Sequence, residues 1–180
     1  MVTAMNRKST LLPGNPDCSY KFQKMPIKHP RCGLFVTPSI NLFCYSLIFR
    51  HSHQNIKKFH QYFFNLPPDN DYIKWTVGKA MYMADGTALK QKQALDENGF
   101  YSDIISSSAV CTIICDSIQF DEHTRRFNYY GTQIIKRRTR DLRRSMLTTG
   151  SIENVPRTQN NPHGLMITNW RTLENKDLDY

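Results

Sequence analysis

The stretch His53–Asp69, HQNIKKFHQYFFNLPPD, places Ile56, Phe59, His60, Phe63 and Phe64 at spacings of three, four, seven and eight residues. On a 3.6-residue turn these five side chains share one face, the pattern of an amphipathic helix docked on a core. Lys57, Lys58, Gln61 and Asn65 take the wet face. Pro67-Pro68 ends the helix, because the residue before a proline is pushed out of the α region. Three phenylalanines on one stripe need a broad apolar surface opposite them, and the remainder of the chain has to supply it.

Two further helices follow by period. Asp69–Ala84 repeats apolar residues at Tyr72, Trp75, Val77, Ala80, Met81 and Ala84, with Asp69 or Asp71 as its cap and Gly78 allowing close packing. Gly86–Asn98 carries Leu89 and Leu95 inward and is stopped by Gly99. Phe100–Ile105 reads as a connector with its own apolar anchors. From Ser106 the period changes to two. Ser108–Phe120 reads as a strand with Cys111, Ile113 and Cys115 on one face and Val110, Thr112 and Ile114 on the other. Asp121–Arg125 is a turn, Arg126–Arg138 and Arg140–Val155 are the next strands, Asn160–Gly164 is a turn, and Leu165–Leu173 is a fourth strand pointing Leu165, Ile167 and Trp170 inward. Helices first and strands after predict an α+β fold, N-terminal helices on one face of a curved four-stranded antiparallel sheet. Parallel strands would need helices between them, and none intervenes.

The chain divides by composition into a basic tail, 1–52, and an ordered domain, 53–180. Of 24 Lys and Arg and 15 Asp and Glu, seven bases and one acid fall in residues 1–52, leaving 17 and 14 downstream. The domain is thus only mildly basic, and the high pI is a property of the tail. Residues 1–31 are polar and proline-rich, with no apolar period. Leu34–Phe49, LFVTPSINLFCYSLIF, is uncharged and reads as a marginal membrane anchor of 16 residues, against about 20 needed to span a bilayer. Six bases precede it, which would keep the N-terminus cytoplasmic. Five cysteines without zinc spacing fix no compartment. Cys111 and Cys115 read as small core hydrophobes.

The sequence carries no nucleotide-binding loop, no HExxH and no GxSxG. No catalytic residue, metal ligand or cofactor is assigned. His60 near the buried face, with Tyr82, is the candidate for a small-molecule or enzymatic site in a cone-shaped interior. The densest charge feature is Lys136, Arg137, Arg138, Arg140, Arg143 and Arg144, interrupted by Asp141. It reads first as a charged hairpin edge that resists strand addition. It is also the candidate face for an acidic protein partner or, as a further alternative, for DNA.

Four segments resemble, in order, the TraK protein family of Bacteroides-type conjugative transposons: IKKFHQYFFNLPPD, KAMYMADGTALK, ENGFYSDIISSSAVCTIICDSIQFD and SMLTTGSIENVPRTQNNPHGLMITNWRTLENKDL. The resemblance covers nearly all of His53–Asp179, and its most specific parts are FHxxFFxLxPD, GFYSDIIS and NNPHG…LENKD. It implies an inner-membrane subunit of a conjugative type IV secretion apparatus, anchored by one N-terminal helix. It further implies a periplasmic domain of nuclear-transport-factor-two-like (cystatin-like) fold, in which the sheet wraps a long first helix. The family brings no catalytic residues. Met1–Ser52 departs from the family's span and polar connecting stretch, which predicts a truncated or frame-altered start. The expected role is a non-enzymatic assembly subunit whose partners are copies of itself and other channel subunits, with Tyr62, Tyr72, Tyr101 and Trp170 as candidate contact anchors and without direct nucleic-acid contact.

Overall fold

The computed structural model describes the backbone of residues 38–178 and the side chains of residues 49–178. Residues 1–37 of the tail, and all but the last of the candidate anchor's side chains, lie outside the described residues. Helix α1 spans Pro38–Phe64, 27 residues, about 40 Å at 1.5 Å per residue. It starts well before His53, and runs unbroken through Ser52, so His51 and His53 sit inside the helix rather than beside its start. Proline at the first helical position costs nothing there, because that N–H has no intrahelical partner. Among the described residues no helix is long and apolar enough to cross a membrane.

Helix α1 ends where the double proline requires. Leu66, just past the end, exchanges two backbone hydrogen bonds of 2.9 Å with Cys111. Asn65 is half-buried, not a wet-face residue: its Oδ1 accepts the Ile113 N–H at 2.8 Å. Helix α2 (Asn70–Met81) is capped by Asp69, whose Oδ1 accepts the Tyr72 N–H. Helix α3 is Gly86–Glu97, and the expected connector folds as a short helix, α4 (Phe100–Ser106).

Strands β1 (Val110–Asp121), β2 (Arg126–Lys136), β3 (Leu142–Asn154) and β4 (Leu165–Asp177) form one antiparallel meander in sequence order. Arg137–Asp141 is a turn, and β4 runs on through Glu174–Asp177, past its expected end. Register shifts at Cys115/Ser117, Leu147/Thr148 and Thr149/Ser151 bend the sheet around α1. The helix enters at the end of the sheet that carries the β1–β2 turn and the β3–β4 loop: Phe49 lies 6.4 Å from Phe120, and His51 5.8 Å from His163, between ring centroids. It leaves at the opposite end, where β1 begins and the β2–β3 hairpin turns.

Ile56, Phe59, His60, Phe63 and Phe64 are buried against Phe127, Tyr129, Met146, Ile152, Ile167 and Trp170. The Trp170 ring meets Phe59 at 5.0 Å and Phe63 at 4.9 Å. Each such ring contributes roughly 1.5–3 kcal/mol on burial, so this layer dominates the stability of the domain. A second cluster, Leu66, Ile73, Val77, Tyr101, Ile104, Cys111 and Ile135, closes the exit end under α2 and α4. The Cys111 thiol is buried and its pKa is pushed up to about 11 by that burial, which keeps it unreactive.

Two helical faces depart from the periodicity reading. On α2 the inward residues are Ile73, Thr76, Val77 and Ala80, while Tyr72 and Trp75 point outward. Thr76 tolerates burial because its hydroxyl donates to the Tyr62 carbonyl. On α3 only Ala88 is buried, and Leu89 is exposed. The cause is tertiary. Asp85 caps α3 through the Thr87 N–H and also accepts the Asn169 N–H at 3.0 Å, while Thr87 Oγ1 accepts the Trp170 N–H at 2.9 Å. These bonds fix the rotation of α3 on the edge of β4, where Asn169 takes a positive φ of 55°. Burial pushes the Asp85 carboxyl up, but the hydrogen bonds from Thr87, Asn169 and Ala88 outweigh it and hold it below the usual carboxylate range.

Candidate interaction surfaces

The interior holds His60 but no room around it. The imidazole is fully buried and stacks on Tyr129 at 3.7 Å with an interplanar angle of 6°. Nδ1 donates to the Ile56 carbonyl at 2.7 Å, since a carbonyl can only accept. Nε2 therefore accepts from the Thr148 hydroxyl, also at 2.7 Å. Burial lowers the pKa to about 3, so the ring is neutral and both nitrogens are committed. Phe59, Phe63, Phe64 and Trp170 fill the space that a ligand would need. Tyr82, the other interior candidate, is exposed on the outside. Among the described residues no group of three or more His, Cys, Asp or Glu side chains could hold a metal ion.

The surface is more informative. Tyr72 and Trp75 stand exposed on α2, their rings 5.7 Å apart, with the Lys79 ammonium 3.9 Å above the Trp75 ring and 5.9 Å from that of Tyr62. Tyr101 and Trp170, the other two candidate anchors, are buried at 8% and 1% exposure and belong to the core. Trp75 was missed because its period fits either face of α2. Beside this aromatic row, α2, α3 and α4 enclose a groove of about 310 Å³, with Ile73, Val77, Met81 and Tyr101 at its floor and Lys74, Leu89 and Lys92 on its rim. Gly78 opens into it: a Cβ there would meet nothing within 4 Å, so this glycine serves no close packing.

The basic cluster collects at the exit end. Lys136 closes β2, Arg137, Arg138 and Arg140 occupy the turn, and Arg143 and Arg144 open β3, so it forms one knuckle rather than a stripe along paired strands. Arg144 pairs with Asp177 of β4 at 2.5 Å. Arg137, Arg140, Leu142, Asp177 and Leu178 line a groove of about 280 Å³ there.

No known protein-family profile matches the chain, and no curated protein sequence matches it. Its fold is shared with solved structures. The soluble domain of TrwG, of the type IV secretion machinery of Bartonella grahamii, superposes with a TM-score of 0.58 at 16% identity, covering 74% of this chain and 97% of that one. VirB8 of Agrobacterium tumefaciens gives 0.60 at 10% identity, covering 73% and 94%. A TraE protein solved in complex with 2-(2-furyl)isonicotinic acid gives 0.57 at 12% identity, covering 79% and 100%. The α+β architecture, helices on a curved four-stranded antiparallel sheet, is therefore that of the VirB8-type, nuclear-transport-factor-two-like domain.

Proposed function

We propose that this chain is a structural, non-enzymatic subunit of a type IV secretion apparatus, and within that class a TraK-type subunit of a conjugative DNA-transfer channel. The observation that carries the reading is the fold likeness: three separate superpositions each cover nearly the whole length of the TrwG, VirB8 or TraE chain. The filled interior and the doubly bonded, neutral His60 agree with a scaffold rather than a reaction chamber. The subunit sits at the inner membrane with the described domain in the periplasm, and it works through contacts with copies of itself and with other channel subunits.

Two surfaces suit such contacts. The Tyr72–Trp75–Lys79 row offers large, exposed aromatic area of the kind that dominates interface energetics. The β2–β3 knuckle, at the end away from the entry of α1, offers Lys136, Arg137, Arg138, Arg140 and Arg143 to an acidic protein partner. DNA is a poorer fit, because the charge is confined to one turn, Asp141 interrupts it and Asp177 neutralises Arg144. The test is crosslinking in cells carrying the whole transfer apparatus, with identification of attached proteins. Recovery of channel subunits is expected. Attachment to none of them overturns the reading, and DNA affinity that falls steeply with salt and vanishes on neutralising Arg137, Arg138 and Arg143 would restore the DNA alternative.

A further inference from the structure

Four basic side chains gather where α1 enters the sheet, and neither the core nor the surfaces above use them. His51 and Lys58 are seven residues apart, on one face of α1. His163 and Arg157 come from the β3–β4 loop. The rings of His51 and His163 lie 5.8 Å apart. Partial burial, then Lys58, His51 and Arg157, lower the His163 pKa, and no carboxylate counters them. All four side chains are exposed.

The loop that presents two of them is firmly built. Thr158 and Asn161 exchange backbone hydrogen bonds of 3.2 Å, the Asn161 amide donates to the Leu165 carbonyl at 2.9 Å, and Gly164 adopts a φ of 64°. A Cβ on Gly164 would sit 2.7 Å from the Val155 carbonyl, so the tight turn requires glycine. Of the acids at this end, Glu153 accepts from Thr168, Asp121 accepts from Thr124 and the His123 N–H within its own turn, and Glu122 lies in the β1–β2 turn. Two fixed cations, Lys58 and Arg157, held beside the paired His51 and His163 rings make an arrangement that an external anion completes.

The direction of the chain selects the anion. His51 follows directly on the uncharged stretch Leu34–Phe49 and on Arg50, so the cluster lies where chain and a bilayer surface would meet. We propose that His51, Lys58, Arg157 and His163 form a contact site for anionic lipid headgroups at the membrane-facing end of the domain. The proposal rests on the inner-membrane placement above, and its test separates the two. Cationic side chains near an anionic leaflet contribute about 1 kcal/mol each, about fivefold in partition.

The experiment measures flotation of the full chain with vesicles of phosphatidylcholine alone and with one-third phosphatidylglycerol. Partition is expected to rise with phosphatidylglycerol. The Lys58→Gln/Arg157→Gln variant should lose about thirtyfold of that gain, with an unchanged circular dichroism spectrum and unchanged binding to phosphatidylcholine. The Arg137→Gln/Arg140→Gln variant, with the same charge change at the opposite end, should behave as the parent. Equal binding to both vesicle types, or equal losses in both variants, overturns the site while leaving membrane insertion intact. Binding only to phosphatidylglycerol vesicles supports the site and removes the hydrophobic anchor. Capture of polyglutamate without vesicle binding overturns the proposal in favour of an acidic protein segment.

Discussion

His60 and Thr148 are 88 residues apart in sequence and 2.7 Å apart in space, and their hydrogen bond ties the last turns of α1 to the middle of β3. Replacing Thr148 with valine keeps the shape and strands Nε2 in a dry site, which costs about 1–3 kcal/mol. Urea denaturation at neutral pH should show that loss.

The same histidine makes the domain sensitive to acid. Burial holds the folded pKa near 3, against an ordinary value of 6.5. As pH falls through 6.5 the unfolded imidazole takes up a proton while the folded one does not. The stabilisation from a neutral His60 is therefore whole above that point and drains away toward pH 3, at about 1.4 kcal/mol per pH unit for one proton. His53, lowered chiefly by burial, acts in the same direction. Denaturation midpoints between pH 7 and 4 should fall, and in His60→Gln they should fall less steeply.

Three glycines should respond oppositely to alanine. At Gly131 a Cβ would sit 2.7 Å from the Tyr129 ring and 2.8 Å from the Ile114 carbonyl, and at Gly150 3.0 Å from the Phe127 ring. Overpacking costs about 1–3 kcal/mol, with Gly131→Ala the worse because backbone cannot yield. Gly78→Ala meets open space and should gain roughly 0.5–1 kcal/mol from helix propensity. Thermal midpoints rank the three.

Asp85→Ala removes a helix cap and the bond to Asn169 together. A cap alone is worth about 1 kcal/mol. The loss should exceed that, and hydrogen exchange should rise at the Asn169 and Trp170 amides while the β1–β2 ladder stays protected.

Trp75→Ala should cost less than about 1 kcal/mol, the size of an exposed cation–π contact. Crosslinks to partner subunits should nevertheless drop. Unchanged crosslinks would move the contact off this face of α2.

The change of period near Ser106, the double proline and the NNPHG turn made most of the architecture legible before any coordinates. What was illegible depended on partners distant in sequence. Leu89 has an inward period but an outward position, because Asp85 and Thr87 reach across more than eighty residues to set α3 on β4. Tyr72 and Trp75 share spacing with Ile73 and Thr76, and only the neighbouring α1 and α4 decide which pair is covered. The start of α1 was obscured by an uncharged stretch in which Pro38 reads equally as a breaker or as a first helical residue. The entry cluster joins His51 to His163 across more than a hundred residues, a pairing that no local pattern announces.

The uninterrupted rod of α1 has a mechanical consequence. A tug on whatever precedes Pro38 is not absorbed by a hinge. It is shared along the packed face from Ile56 to Phe64 and the His60–Thr148 bond, and what remains reaches the two Leu66–Cys111 backbone bonds and the Asn65–Ile113 bond. Displacement of the leading end is thereby delivered to the first strand and to the α2 and α4 helices clustered there, so a subunit pulled at one end deforms at the other.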